Sequence, residues 1–237
     1  MNIYVTKRFA AVLVCLLVIH AGCKKKTENP PVATDVWDIE KDGIPRFVSA
    51  DYIELAKISR ISKYRSSVGH DYSDAFEHCR SMKHYFEPKA SVDWAAVRIY
   101  SPVTGKITRV ELEWAGTKIE IVSDAFPAFR FSVFHVNPAT DYQVGNSVTA
   151  GELLGTHAGT QTMSDISVIV NDPTRQGRMV SYFDVMTDDV FAGYFNRGVM
   201  ARTDVIIPKA LRDAHPLVCN GDTFTGTDSL QNWVMLN

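Results

Sequence analysis

Neither sign of charge dominates this chain. Its 25 lysines and arginines face 27 aspartates and glutamates, a formal net charge of −2. The long-range field that draws a protein onto a polyanion is therefore missing, and nucleic acid is not an expected partner. The glycine patterns that cradle phosphates are missing too. There is no Walker loop, no dinucleotide turn after a strand and no G-x-S-x-G elbow. A lipoyl or biotinyl carrier needs its modified lysine on a tight hairpin, whereas Lys118 in GTKIEI falls inside a strand pattern. Cysteine is scarce, four in 237 residues with no C-x-x-C pair, which excludes a thiolate zinc cluster. No histidine lies between 158 and 214, and no internal repeat or low-complexity tract occurs. What remains is the length of one domain with small appendages, apolar enough at 46% to build a core.

The first apolar run, AAVLVCLLVI (10–19), follows Lys7 and Arg8 and ends at HAGC. It is too short to span a bilayer comfortably, and a basic start with small residues before a cleavage point is the pattern of an export signal over 1–22. Ala21-Gly22-Cys23 resembles a bacterial lipobox, so Cys23 is the expected lipidation site, with the lipid holding the chain to a membrane. KKKTENPPVAT then forms a polar, proline-containing tether within 23–36. The expected location is the bacterial cell envelope. Lys24 rather than aspartate after the lipidated cysteine favours the outer membrane. Cys15 leaves with the signal, so Cys79 and Cys219 remain as one pair in an oxidising compartment, where a disulfide is expected.

In SADYIELAKISRISKYRSS (49–67), Ile53, Leu55, Ile58 and Ile61 recur at mostly helical spacing behind Ser49. This predicts an amphipathic helix within an N-terminal helical segment, 37–68. Residues 68–92 read as an irregular loop that lines something. The runs AAVRIYSPVTGKITRVELEW, GTKIEIVSD, FRFSVFHVN, NSVTAGELLGTHAG and SDISVIVND then alternate apolar with polar residues between glycines, the pattern of antiparallel sheet. Beyond them, RMVSYFDVM reads as a strand and TDDVFAGYFNRG as a helix capped by Thr187 and closed at Gly198. TDVIIPKALRDAHP reads as a helix begun by Thr203 or Asp204, and the Cys219 tail as coil. The expected class is mainly β, α+β overall, with an N-terminal helix and short C-terminal helices.

Between 69 and 172 the pieces have a familiar order. GHDYSD (69–74) looks like a His-x-x-x-Asp element, and SPVTGKITRV is similar to a proline–glycine strand turn. FHV (134–136) falls where an aromatic-x-His element would stand, and VGNSVTAGELLGTHAGT is similar to a glycine-punctuated hairpin leading into a last core strand. Together they resemble the lysostaphin-type zinc peptidases of bacterial cell walls, a family with the duplicated hybrid motif fold. The resemblance covers under half of the chain and leaves 173–237 as a C-terminal extension packed on the domain.

The resemblance implies a zinc held by His70 and Asp74, with His135 moving protons or stabilising an oxyanion. It also implies a further ligand from a terminal His-x-His, and there the pattern breaks. The strand reads Ser164-Asp165-Ile166-Ser167, which puts Asp165 and Ser167 where two histidines should be. Strand residues two apart share a face, so both point at the same site. Serine is a poor zinc ligand, and two protein ligands rarely hold catalytic zinc. The expectation is therefore no cofactor, unless Asp165, His78 or His84 completes a metal set with His70 and Asp74. Zinc is then the family's metal, and an oxygen-rich set suits a harder cation. His135 on an apolar strand reads equally as a satisfied core histidine, and His157 beside a turn glycine reads as exposed. The function expected is a lipid-anchored envelope protein whose degenerate, non-catalytic peptidase-like domain binds peptidoglycan or an envelope protein as a scaffold. Two alternatives stay open: a zinc-dependent cell-wall metalloendopeptidase with an atypical ligand set, and a carbohydrate or small-ligand binder.

Overall fold

The computed structural model describes residues 35–237. The export signal, Cys23 and all of the tether up to residue 34 lie outside the described residues. The chain opens with one helical turn, α1 (Ile39–Asp42), whose N-cap Asp38 accepts from the Lys41 amide. The amphipathic helix expected over 49–67 does not form. Leu55–Lys57 makes a single 3-10 turn, and the chain continues as strand β1 (Ile58–Ser62). Tertiary pairing overrides the spacing here, as it does wherever β-branched residues find partners on both sides.

In chain order the further strands are β2 (His84–Pro88), β3 (Arg98–Tyr100), β4 (Gly105–Leu112), β5 (Thr117–Ser123), β6 (Phe129–Pro138), β7 (Ser147–Val148), β8 (Leu153–His157), β9 (Ser164–Asn171) and β10 (Gln176–Val180). After three short helices come β11 (Val218–Asn220), β12 (Thr223–Thr225) and β13 (Trp233–Met235). The main sheet runs β13-β1-β2-β9-β6-β5-β4-β7. Strand β10 also pairs with β9, and β8 bridges β3 and β6. Every ladder in it is antiparallel, the architecture expected from the alternating runs. Last in the chain but first in the sheet order, β13 closes the edge against β1.

Alternation sorts the two faces. On β6 and β9, Phe129, Phe131, Val133, Ile166, Val168 and Val170 are fully buried on one face. That face is covered by Val48, Tyr52 and Ile53 of the N-terminal segment. It is also covered by α2 (Tyr182–Val185) and α3 (Asp188–Phe195), which contribute Tyr182, Phe183 and Tyr194. Large side chains buried to this degree each stabilise the fold by about 2 kcal/mol. Helix α3 begins as expected: the Thr187 side chain accepts from the Val190 amide, and Gly198 beyond it has φ +94. The next expected helix is instead split into a 3-10 turn, Arg202–Val205, and α4 (Lys209–Ala214), because Pro208 has no amide to continue the first piece. The Cys219 tail is not coil; β11 and β12 form a hairpin.

Asp51 sits among the buried tyrosines of this face. Tyr194 donates its hydroxyl to Asp51 Oδ1 at 2.8 Å, while Oδ2 is buried without a partner. Burial outweighs that hydrogen bond and pushes the carboxyl up to about 7. Between pH 4 and 7 the folded chain thus holds a proton that the unfolded chain has released, and stability falls as pH rises through that window. Asp51→Asn keeps the acceptor and removes the charge. Its stability should exceed that of the parent by a margin that grows by roughly 4 kcal/mol from pH 4 to 7 and then levels. Denaturant melts at four pH values measure this, and a margin independent of pH would contradict the assignment.

Candidate functional site

Opposite the core, β9 presents Asp165 and Ser167, both buried, with exposures of 0% and 1%. In register, Tyr85 of β2 pairs with Asp165, and Ser132 of β6 pairs with Ser167. Period-two alternation puts Lys83, Tyr85 and Asp165 on one face, and His84 and Phe86 on the other. A cleft of about 1100 Å³ opens over this face. Its walls include His70, Tyr72, Trp94, Trp114, Phe134 and Met163, and Lys83, His135 and Asp165 line it.

His135 reaches the cleft through a break in the ladder. Strand β6 pairs with β9 up to Val133 and with β8 from Val136, and its register on β5 shifts between the same points. At the break His135 takes a left-handed φ of +58. A bulge of this kind re-aims a side chain, at a local backbone cost of about 1 kcal/mol or more. The ring lies between two acceptors, with Nδ1 2.7 Å from the Ala115 carbonyl and Nε2 3.2 Å from Asp165 Oδ1. Neither acceptor can donate, so the ring turns a protonated nitrogen toward each. Burial opposes that charge, but Asp165 and the Ala115 carbonyl outweigh it and the imidazole is held above its ordinary range.

The other oxygen of Asp165, Oδ2, lies 2.7 Å from Lys83 Nζ. Burial alone would raise this carboxyl, yet the Lys83 ammonium and His135 bring it below the usual range. These contacts are ion pairs by distance and bent from hydrogen-bond alignment, since neither Asp165 oxygen has a hydrogen-bond partner. The Lys83 ammonium also lies 3.6 Å from the Phe134 ring centroid and 4.1 Å from that of Tyr72.

His70 comes from the segment before β2. Gly69 (φ +76) passes so close to Tyr85 that a Cβ there would meet the ring at 2.3 Å, so only glycine brings His70 to the cleft wall. His70 Nδ1 donates to the Asp71 carbonyl at 2.9 Å. Asp74 is used differently. Its Oδ1 accepts from the Phe76 and Glu77 amides, and its Oδ2 accepts from the Met179 amide of β10. Asp71 orders the same turn through Ser73 Oγ and the Cys79 and Arg80 amides. The Cys79–Cys219 disulfide is formed and ties the turn to the β11–β12 hairpin, aided by the Asp71 amide bond to the Asp222 carbonyl.

The metal set expected from His70, Asp74 and Asp165 therefore does not assemble. Asp74 is committed to backbone amides, and Asp165 to two cations. Among the described residues no three His, Cys, Asp or Glu side chains are placed to share a cation. The conceivable substitutes fail as well. His84 faces the core between the Ser62 carbonyl and Ser181 Oγ, and burial pushes it down to about 4. His78 is exposed and outside the cleft lining. The residues present do not fit zinc. His157, expected at the surface, is 1% exposed and stacks on Trp94 at 4.1 Å. Its Nδ1 accepts from the Gly159 amide, and burial holds the ring down at about 4.

No family model matches the chain, and no curated protein matches it in sequence. Several solved structures do. Csd3 of Helicobacter pylori is 16% identical over 60% of this chain, at a TM-score of 0.43, and the chain spans only 34% of Csd3. The catalytic domain of the antimicrobial peptidase lysostaphin from Staphylococcus simulans is 17% identical, with 46% of this chain and 88% of that domain covered, at a TM-score of 0.31. The deep-sea M23 metalloprotease pseudoalterin is 18% identical, with 58% and 74% covered, at 0.35.

The residue that sequence reasoning passed over is Lys83. Its signal was available: in KHYFEP the alternation places Lys83 in phase with Tyr85, on the same side of the strand. For Asp74 the geometry makes a definite prediction. Asp74→Ala orphans three amides and should cost about 3 kcal/mol in denaturant unfolding, with metal content unchanged. Asp74→Asn, which keeps an acceptor for two of them, should cost less than half as much.

Proposed function

We propose that this chain is a lipid-anchored envelope protein whose cleft binds peptidoglycan peptides without cleaving them. One observation carries the reading: the charged groups on the cleft floor face one another rather than the cleft. His135 has both ring nitrogens engaged, and Asp165 faces two cations. Zinc would need donors that are committed elsewhere. A roomy cleft with aromatic walls and polar groups placed among them is instead the usual form of a binding site. At its rim Trp114 and Leu112, on the β4–β5 turn, are 74% and 84% exposed, large apolar side chains that gain by being covered. Lipid on Cys23 would keep this cleft near the wall, and a protein partner in the envelope is the second occupant the same surface suits.

Co-sedimentation of the purified full-length chain with cell-wall sacculi tests binding, and a zymogram on the same material tests lysis. The chain should pellet with the sacculi in the presence of chelator and clear none of them. Trp114→Ala should weaken binding about tenfold, as removal of one exposed aromatic anchor typically does. Stoichiometric zinc with chelator-sensitive lysis would overturn the proposal in favour of a metalloendopeptidase. Thermal stabilisation by glycan fragments, with no binding to the peptide, would favour the carbohydrate reading.

A further inference from the structure

A carboxylate with no solvent contact needs a cation beside it, and in a metal site that cation is exchangeable. Asp165 is such a carboxylate, and its nearest cation is part of the chain. Only 3% of the Lys83 side chain is exposed, and its Nζ lies 2.7 Å from Asp165 Oδ2. The rest of its surroundings are ring faces: Phe134 at 3.6 Å, Tyr72 at 4.1 Å and Tyr85 at 5.8 Å. Aromatic faces attract an ammonium most strongly when water is excluded, so the cation is held on all sides by protein.

We infer that the ε-ammonium of Lys83 is the resident cation of this cleft, doing electrostatically what a bound ion would do and keeping the cleft in shape without any ion from solution. Four elements converge on it. Strand β2 follows directly after Lys83 and supplies Tyr85, β9 supplies Asp165, β6 supplies Phe134, and the turn after Gly69 supplies Tyr72. Register fixes the pairing, because Asp165 lies opposite Tyr85, two residues along the same face from Lys83. His135 reinforces the arrangement from the other oxygen of the carboxylate. A divalent ion brought to Asp165 would stand beside two positive groups and would have to displace the ammonium from its rings. This inference goes beyond the proposed binding role and holds whatever ligand the cleft takes.

Chemical rescue tests it on the full-length chain. Lys83→Ala removes the ammonium and leaves a space lined by Asp165 and the three rings. Its Tm should fall by about 10 °C, the loss expected when a buried carboxylate is left alone. Millimolar ethylammonium or propylammonium chloride should restore at least half of that loss with a saturable dose response. Sodium chloride at equal ionic strength and zinc chloride should not. If Lys83→Ala does not fold unaided, the same amines added during refolding should raise the recovered folded fraction. Lys83→Met, whose side chain fills the space, should gain nothing from them. Wild type should retain no zinc after incubation with an equimolar amount and desalting. Amines no better than sodium chloride would overturn the inference. So would one zinc per wild-type chain that is lost in Asp165→Asn.

Discussion

The cleft depends on one buried carboxylate. Asp165 lies on a strand covered on both faces, so its charge cannot be screened by water and must be met by neighbours. That constraint explains features otherwise unrelated in sequence. Lys83 must stay in phase with Tyr85 so that its ammonium reaches Oδ2. Strand β6 must break at His135 so that an imidazole reaches Oδ1. The rings of Tyr72 and Phe134 then cover a cation that the carboxylate alone would leave half satisfied.

The wall above this floor is held by a different set of forces. The turn from Gly69 to Lys83 has little regular structure and gains its order from polar side chains that serve as caps. Asp71 and Asp74 collect backbone amides, and Arg65 and Arg80 converge on Glu77. The disulfide to Cys219 and the Arg80 contact to Asp213 attach the turn to the C-terminal extension. The extension is fixed in turn by Arg212, fully buried and forked onto Asp228, with its Nε donating to the Arg65 carbonyl. Residues 173–237 thus hold in place the segment that carries His70 and Tyr72 into the cleft wall.

How much of this could be read beforehand follows from the range of the forces involved. The antiparallel sheet was legible because alternation is local: Phe129, Phe131 and Val133 announce their own face. The Thr187 cap and the cysteine pair were legible for the same reason, each being a short-range or compartment argument. The segment 49–67 was misread because its isoleucines suit either period, and only pairing with β2 and β13 decides between them. The resemblance implies that His70 and Asp74 share one ion, but nothing local in the sequence announces the Met179 amide that engages Asp74 from more than a hundred residues away. Lys83 was overlooked because a lysine in a polar-looking stretch is ordinarily solvated, and its burial depends on four elements coming together.

Asp165 and Ser167 are buried side by side on the same face of β9, and the two make different physical demands. Serine is neutral, so its burial leaves no charge to be met. Aspartate brings a charge, and a buried charge without a partner costs more than the fold can readily supply. An aspartate at 165 is therefore tolerable only together with a cation such as Lys83, and a lysine at 83 only with a carboxylate and aromatic cover. The two residues form one unit, and any cation brought to Asp165 would meet the charge of Lys83 beside it. The floor of the cleft is thus one electrostatic unit, with its carboxylate, ammonium and imidazole set against one another by strand register and by the break in β6.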